Sequence, residues 1–291
     1  MSYKVLLKAA RVHQWLKNIL IFVPLILAHR VLDKTALLEA ILAFFAFSLC
    51  ASSFYVVNDL VDLEADRRHP HKRKRPFAAG DLTPRFGVGF AAALLALSAI
   101  IAFQLRATFI YSLLCYAVIS ATYSYVLKRI AIVDILVLAG LYTVRLMSGA
   151  FAVDVPISKW LLAFSMFIFL SLAYLKRYAE LRLAKETSED KVFGRGYLLS
   201  DLDIVLQFGT ASGYLAVLVM ALYVNSEEVR RLYSSPELLW LICPVLLYWI
   251  SRVWFIASRG KLDDDPILFA IKDRVSYLAG AICAVIIFAA T

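Results

Sequence analysis

The chain has 291 residues, of which 62% are hydrophobic and 18% charged, with a mean hydropathy of +0.75. A soluble domain is nearer half apolar and about a quarter charged, so this composition excludes an ordinary water-soluble enzyme. The net charge of +9 sits in loop clusters, which reads as membrane topology and not as a nucleic-acid footprint.

In chain order, a basic arm (Lys4, Lys8, Arg11, Lys17) opens the sequence. No small-residue cleavage site follows a short apolar core, so no removable signal peptide is expected. Asn18–Ala28 is a short apolar stretch; Ala36–Val57, Phe86–Phe103, Ala107–Val126, Ile132–Val153, Trp160–Tyr174, Ile204–Val224 and Leu238–Ile256 are strong ones. Val275–Ala290 is a weaker last one. A helix needs ~20 apolar residues to cross a hydrocarbon core of ~30 Å. The pattern predicts an all-α polytopic integral membrane protein of about nine spans, with residues 1–291 as a single membrane-embedded domain.

Loop charges orient it. Arg67 to Arg85, Lys128 and Arg129, Lys176 to Arg195, and Arg259 to Arg274 alternate with loops holding only Arg30, Lys34, Arg106, Lys159, Arg230 and Arg231. The positive-inside rule puts the N-terminus and the basic loops in the cytoplasm. Cys50, Cys115, Cys243 and Cys283 match neither a metal-site spacing nor a disulfide framework and read as small apolar residues.

The strongest chemical signal is Asn58–Gly80, NDLVDLEADRRHPHKRKRPFAAG. Asp59, Asp62 and Asp66 stand at i, i+3 and i+7, one face of a continuing helix, with Asn58 beside them. Clustered like charges at a membrane surface need neutralising. Mg2+ does so with one or two carboxylates plus substrate phosphate oxygens. The alternative is a solvated acidic helix end. Arg67, Arg68, Lys72, Arg73, Lys74 and Arg75 follow, with Pro70 and Pro76 breaking any helix. Guanidinium groups match phosphate oxygens in bidentate fashion, so acids and cations together suggest a diphosphate cradle. His69 and His71 lack the further nitrogen or sulfur ligands of a transition-metal site.

NDxxDxxxD at the end of the second of about nine spans, followed by a basic RP-containing loop, resembles the UbiA superfamily of intramembrane prenyltransferases. The resemblance implies nine helices around a lipid-facing cavity, with Asn58, Asp59, Asp62 and Asp66 as the metal and diphosphate site and Mg2+ as cofactor. That superfamily carries a second Asp-rich motif after the sixth span. Here the position reads YLKRYAELR, with Lys176, Arg177, Tyr178, Arg182 and one acid, Glu180. A cationic second side suits direct contact with phosphate; the lesser alternative is that Lys176 and Glu180, four apart, simply pair along a helix.

QWLKN (Gln14–Asn18), the HPxKRxRP loop, KRYAEL (Lys176–Leu181) and DRV (Asp273–Val275) resemble one branch, the decaprenyl-phosphate phosphoribosyltransferases. That likeness implies a donor, phosphoribosyl pyrophosphate, and an acceptor, a polyprenyl (deca- or undecaprenyl) phosphate. Their product is a lipid-linked arabinofuranose precursor for cell-envelope glycan, made at the bacterial inner membrane. Phosphate holders are then Lys17, Asn58, Arg67, Lys72, Arg73, Arg75, Lys128, Lys176, Arg177, Tyr178 and Arg274, with Asp134 near the metal or ribose.

Two arginines lie inside predicted spans. Arg145 either lines a cavity together with Asp134 or pairs with an acid on another helix; Arg252 is expected to snorkel. Asp263, Asp264 and Asp265 read as a solvated turn. Two other functions stay open: a prenyl-diphosphate-dependent transferase with an aromatic acceptor, and a transporter of a phosphorylated lipid. No internal repeat supports the transporter. A homo-oligomer is compatible with the sequence, and no residue pattern specifies one.

Overall fold

The structure, a computed structural model, describes residues 2–68, 72–186, 196–262 and 266–291. Pro70, His69 and His71 of the basic loop, Glu189, Asp190 and Arg195, and the Asp263–Asp265 run lie outside them. Helices are the regular elements of the described residues, with no β-strand among them. The long helices are α1 (Lys34–Val61), α2 (Pro84–Ala102), α3 (Ala107–Tyr125), α4 (Val133–Ala152), α5 (Lys159–Glu186), α6 (Leu202–Val224), α7 (Ile242–Ser258) and α8 (Arg274–Ala290).

Among the described residues seven helical stretches are long and apolar enough to cross a membrane, and Val12–Leu27 and Arg274–Ala290 are shorter apolar helices. The all-helical membrane fold is as expected; the full count of nine rests on those two short segments. The first of them departs from the expectation in kind. Val12–Phe22 is a 3-10 helix, entered through Arg11 at φ 49, and becomes α-helical only over Val23–Leu27.

The chain forms two compact units, Met1–Tyr125 with Val144–Ile157, and Val126–Thr143 with Ser158–Thr291. In the first, α1 packs on α2, α3 and the 3-10 helix. Its inward face is made of small residues, Ala36, Ala40, Ala43, Ala46, Cys50 and Ala51, all buried. In lipid the apolar effect gives little drive between helices, so small residues that let backbones approach, and polar side chains, hold them together. The Ser98 hydroxyl donates to the Ala46 carbonyl at 2.6 Å, and Ser53 to Ala91 at 2.9 Å.

Gly149 allows the closest approach in this unit, because a Cβ there would stand 2.1 Å from the Ile21 carbonyl oxygen. Gly149→Ala must therefore move backbone, not just a side chain, and is expected to cost about 1–3 kcal/mol. A fall in the melting temperature of the detergent-solubilised protein, absent in Gly89→Ala where a Cβ meets open space, checks this.

In the second unit α5 lies along α6, and α7 packs on both and on α8. Gly209 makes room for Trp254, whose ring would be 2.3 Å from a Cβ there. Ser171 donates to the Gly209 carbonyl at 2.7 Å and receives the Trp254 indole N–H at 3.1 Å. Cys50 and Cys243 are buried, Cys115 is exposed, and all four cysteines are free.

Candidate functional site

The acidic motif closes α1. The helix ends at Val61, Asp62 turns with its N–H still bonded to the Asn58 carbonyl at 2.9 Å, and Leu63–Arg68 resumes as a short helix. This break departs from the single continuous face expected. Asp59 and Asp66 are buried, at 2% and 3% exposure, whereas Asn58 and Asp62 are half-buried. Burying carboxylates so deeply requires paired charge.

Two arginines supply it. Arg75 places Nη1 3.1 Å from Asp59 Oδ1 and 2.5 Å from Asp66 Oδ2, so one guanidinium nitrogen bridges both acids. Arg11 donates to the same Asp59 Oδ1, and its guanidinium lies 5.2 Å from the centre of the Tyr55 ring. Arg75 is among the cations expected from the sequence. In the sequence Arg11 stands out only as a topology charge, because its left-handed backbone and a partner 48 positions away leave no trace in spacing. Lys8 anchors the same loop by donating to the Lys74 carbonyl at 2.6 Å. Arg67, Lys72 and Arg73 are exposed around it, and Lys17 is buried.

Among the described residues no group of three or more His, Cys, Asp or Glu side chains is gathered as a ready-made cage for an ion. The donors do fit a hard cation that takes few protein ligands. All are oxygens, and Asp59 and Asp66 already converge on one positively charged atom.

Arg145 has an environment that sequence reading did not foresee. Its Nε donates to Asn18 Oδ1 and its Nη2 to the Tyr116 hydroxyl, both at 2.9 Å. The guanidinium lies over the rings of Phe47 and Tyr116, at 5.7 and 4.9 Å from their centres. Asn18, the last residue of QWLKN, also donates to Ser48 on α1 at 2.9 Å. An amide, a phenol and two ring faces thus solvate the intramembrane cation.

In the second unit the cationic motif is largely internal. Arg177 is 1% exposed and Asp134 0%, and they are bonded through Nε and Oδ2. Arg177 also binds Glu180. The Tyr197 hydroxyl donates to Asp134 Oδ1 at 2.6 Å and accepts the Ile132 N–H at 2.6 Å. Burial, then the hydrogen bond to Asp134, push the Tyr197 phenol far above its usual range, so it stays a donor. Ile132 has φ 68, unfavourable for a β-branched residue, and this network holds it there. Tyr178 packs edge-on to Trp254, Lys128 is buried, Lys176 is half-buried and Arg274 is exposed.

Arg252, expected to snorkel, is ion-paired. It grips Asp273 through two bonds of 2.7 and 2.9 Å, and Asp273 caps α8 by accepting from Ser276 N at 2.8 Å. The Arg252 hydrogen bonds hold the Asp273 carboxyl below its usual pKa. A depressed folded value means that the stability it contributes is complete above the unfolded pKa of ~3.9 and is lost as pH falls through the lower folded value. Arg252→Met is expected to flatten that acid dependence, read from melting temperatures between about pH 6 and pH 3.

The model of the "UbiA prenyltransferase family" matches residues 19–272. The chain belongs to the UbiA prenyltransferase family. Nodulation protein NoeC of Azorhizobium caulinodans is 38% identical, over 92% of this chain and 87% of its own length. A protein of Sinorhizobium fredii named y4nM is also 38% identical, over 96% of this chain, which spans only 54% of that relative's length. Decaprenyl-phosphate phosphoribosyltransferase of Mycolicibacterium smegmatis is 32% identical, over 93% of this chain and 87% of its own. A UbiA homolog from Archaeoglobus fulgidus, solved bound to GPP and Mg2+, superposes with a TM-score of 0.73 at 17% identity. That match covers 97% of this chain and 98% of the other and shows the shared helical fold. The UbiA chain described here is thus an integral membrane transferase.

Proposed function

We propose that this UbiA family member transfers a 5-phosphoribosyl group from phosphoribosyl pyrophosphate to a polyprenyl phosphate, releasing pyrophosphate. Residues 1–291 are read as one catalytic membrane domain, with the N-terminus and basic loops on the cytoplasmic side of a bacterial inner membrane. The observation that carries the reading is the lopsided distribution of acid. The first motif gathers three acids, Asp59, Asp62 and Asp66, at one helix end, whereas the second holds a single acid, Glu180, and that one is bound by Arg177, which also binds Asp134. A prenyl diphosphate donor held through several metal ions needs acids on both motifs. The likeness to the decaprenyl-phosphate phosphoribosyltransferases over nearly the whole chain supports the same donor.

Asp59, Asp62 and Asp66, with Asn58, are the proposed Mg2+ ligands. When bound, Mg2+ would offset the charge that develops on the leaving pyrophosphate. Arg67, Lys72, Arg73 and Arg75 take phosphate oxygens of the donor. Lys17, Lys128, Lys176 and Arg274 are the proposed holders of the remaining phosphates. The acceptor phosphate oxygen attacks ribose C1 and is already an anion, so no strong general base is required. Gln14 Oε1 is buried with no hydrogen-bond partner among the described residues, which suits acceptance from a ribose hydroxyl. The product is read as a lipid-linked precursor of arabinofuranose for envelope glycans.

Donor choice tests the proposal. Purified protein given polyprenyl phosphate and equal amounts of phosphoribosyl pyrophosphate and geranyl diphosphate should yield only the phosphoribosyl lipid by mass spectrometry. A prenylated product from an added aromatic acceptor, with phosphoribosyl pyrophosphate untouched, would place the chain among prenyl-diphosphate-dependent transferases instead.

A further inference from the structure

Arg75 and Arg11 neutralise the same Asp59 oxygen, yet they are built differently. Arg11 is lodged: it lies 18% exposed over the Tyr55 ring, fixed by its own backbone conformation. Arg75 comes from the loop after Lys72–Lys74, is 26% exposed, and reaches Asp59 and Asp66 through the single atom Nη1. That nitrogen stands at the point where a cation shared by the two carboxylates would sit. Mg2+ binds oxygen at about 2.0–2.1 Å, and neither it nor a guanidinium tolerates the other at one shared oxygen pair.

We propose that Arg75 is an exchangeable counter-charge, which holds Asp59 and Asp66 together before the metal arrives and turns onto a phosphate oxygen once it does. The inference rests on the metal reading above and adds a consequence to it. Mg2+ alone must displace a positive group and binds weakly. Mg2+ with a polyphosphate gives the released guanidinium a new bidentate partner, so the two bind cooperatively. Arg75 is thereby a positioning residue that couples metal binding to donor binding.

The test uses the full chain in detergent, with inorganic pyrophosphate as the anion and free Mg2+ held at set concentrations. Melting temperature is followed by tryptophan fluorescence. Wild type is expected to show half-saturation by Mg2+ shifting about tenfold or more to lower concentration when pyrophosphate is added. Arg75→Gln is expected to melt lower than wild type in EDTA, to bind Mg2+ about tenfold more tightly, and to lose most of the pyrophosphate effect. Arg75→Lys, which keeps the charge, stays near wild type for Mg2+ alone. Equal half-saturation in wild type and Arg75→Gln overturns the exchange and leaves the metal site standing. No Mg2+ response in either protein, with or without pyrophosphate, overturns the metal site itself and the exchange with it.

A second measurement needs no variant. Phenylglyoxal labelling of Arg75 in wild type, read by peptide mass spectrometry, should rise with Mg2+ and fall again when pyrophosphate joins it. Labelling indifferent to Mg2+ contradicts the exchange even if Arg75→Gln does not fold.

Discussion

Asp62→Ala is expected to lower transfer by roughly 10²–10³-fold or more while leaving a monodisperse protein with a nearly unchanged melting temperature. Asp62 stands at the break between α1 and Leu63–Arg68 and is half-buried, whereas Asp59 and Asp66 are buried against Arg11 and Arg75. Removing either buried acid takes a carboxylate partner from Arg75, and removing Asp59 takes one from Arg11 as well, which mixes a folding defect into the kinetics. Asp62 therefore separates the two effects. Turnover at the wild-type rate with Mg2+ would remove the acidic motif from the chemistry. A large fall in melting temperature would give Asp62 a structural role instead.

The second large effect is on stability. Asp134→Ala leaves the Arg177 guanidinium, 1% exposed, without its buried carboxylate and frees the Tyr197 hydroxyl from its acceptor. Breaking one side of a buried ion pair costs about 3–5 kcal/mol, and the lower end is expected because Glu180 still binds Arg177. Replacing both partners, as Asp134→Leu with Arg177→Met, should recover much of the loss, because no uncompensated charge is then left inside. Melting temperatures of the two proteins in one detergent decide it. A double variant less stable than Asp134→Ala alone would show that packing, and not stranded charge, is what Asp134 provides.

Hydropathy makes the long helices legible because a span must satisfy its own backbone groups and cover itself with apolar side chains. The weak first span misleads for the same reason. Val12–Leu27 is apolar, but its 3-10 portion, Val12–Phe22, which packs on α1 and passes close to Gly149, is not encoded in any local pattern. The acidic motif is legible because its spacing of three and four is a helical one. Its neutralisation is not: Arg75 lies nine residues past Asp66, and Arg11 lies 48 before Asp59, so only the tertiary fold brings them together.

Intramembrane charge is legible as an anomaly and illegible as a contact. Arg145 and Arg252 stand out in their apolar runs, but Asn18 and Tyr116 around the first, and Asp273 against the second, come from other helices. KRYAEL shows the same limit. Its cationic sign is readable, whereas the division between Arg177, buried on Asp134, and the half-buried Lys176 depends on Tyr197 and the strained Ile132 turn.

The central claim is metal-dependent phosphoribosyl transfer onto a lipid phosphate. It is tested most directly with radiolabelled phosphoribosyl pyrophosphate, undecaprenyl or decaprenyl phosphate, and purified protein with Mg2+. The expected result is label in the organic phase, lost with EDTA and in Asp62→Ala. Label that stays in the aqueous phase under conditions where a prenyl diphosphate is consumed would contradict the donor assignment, and transfer that persists in EDTA would contradict the metal.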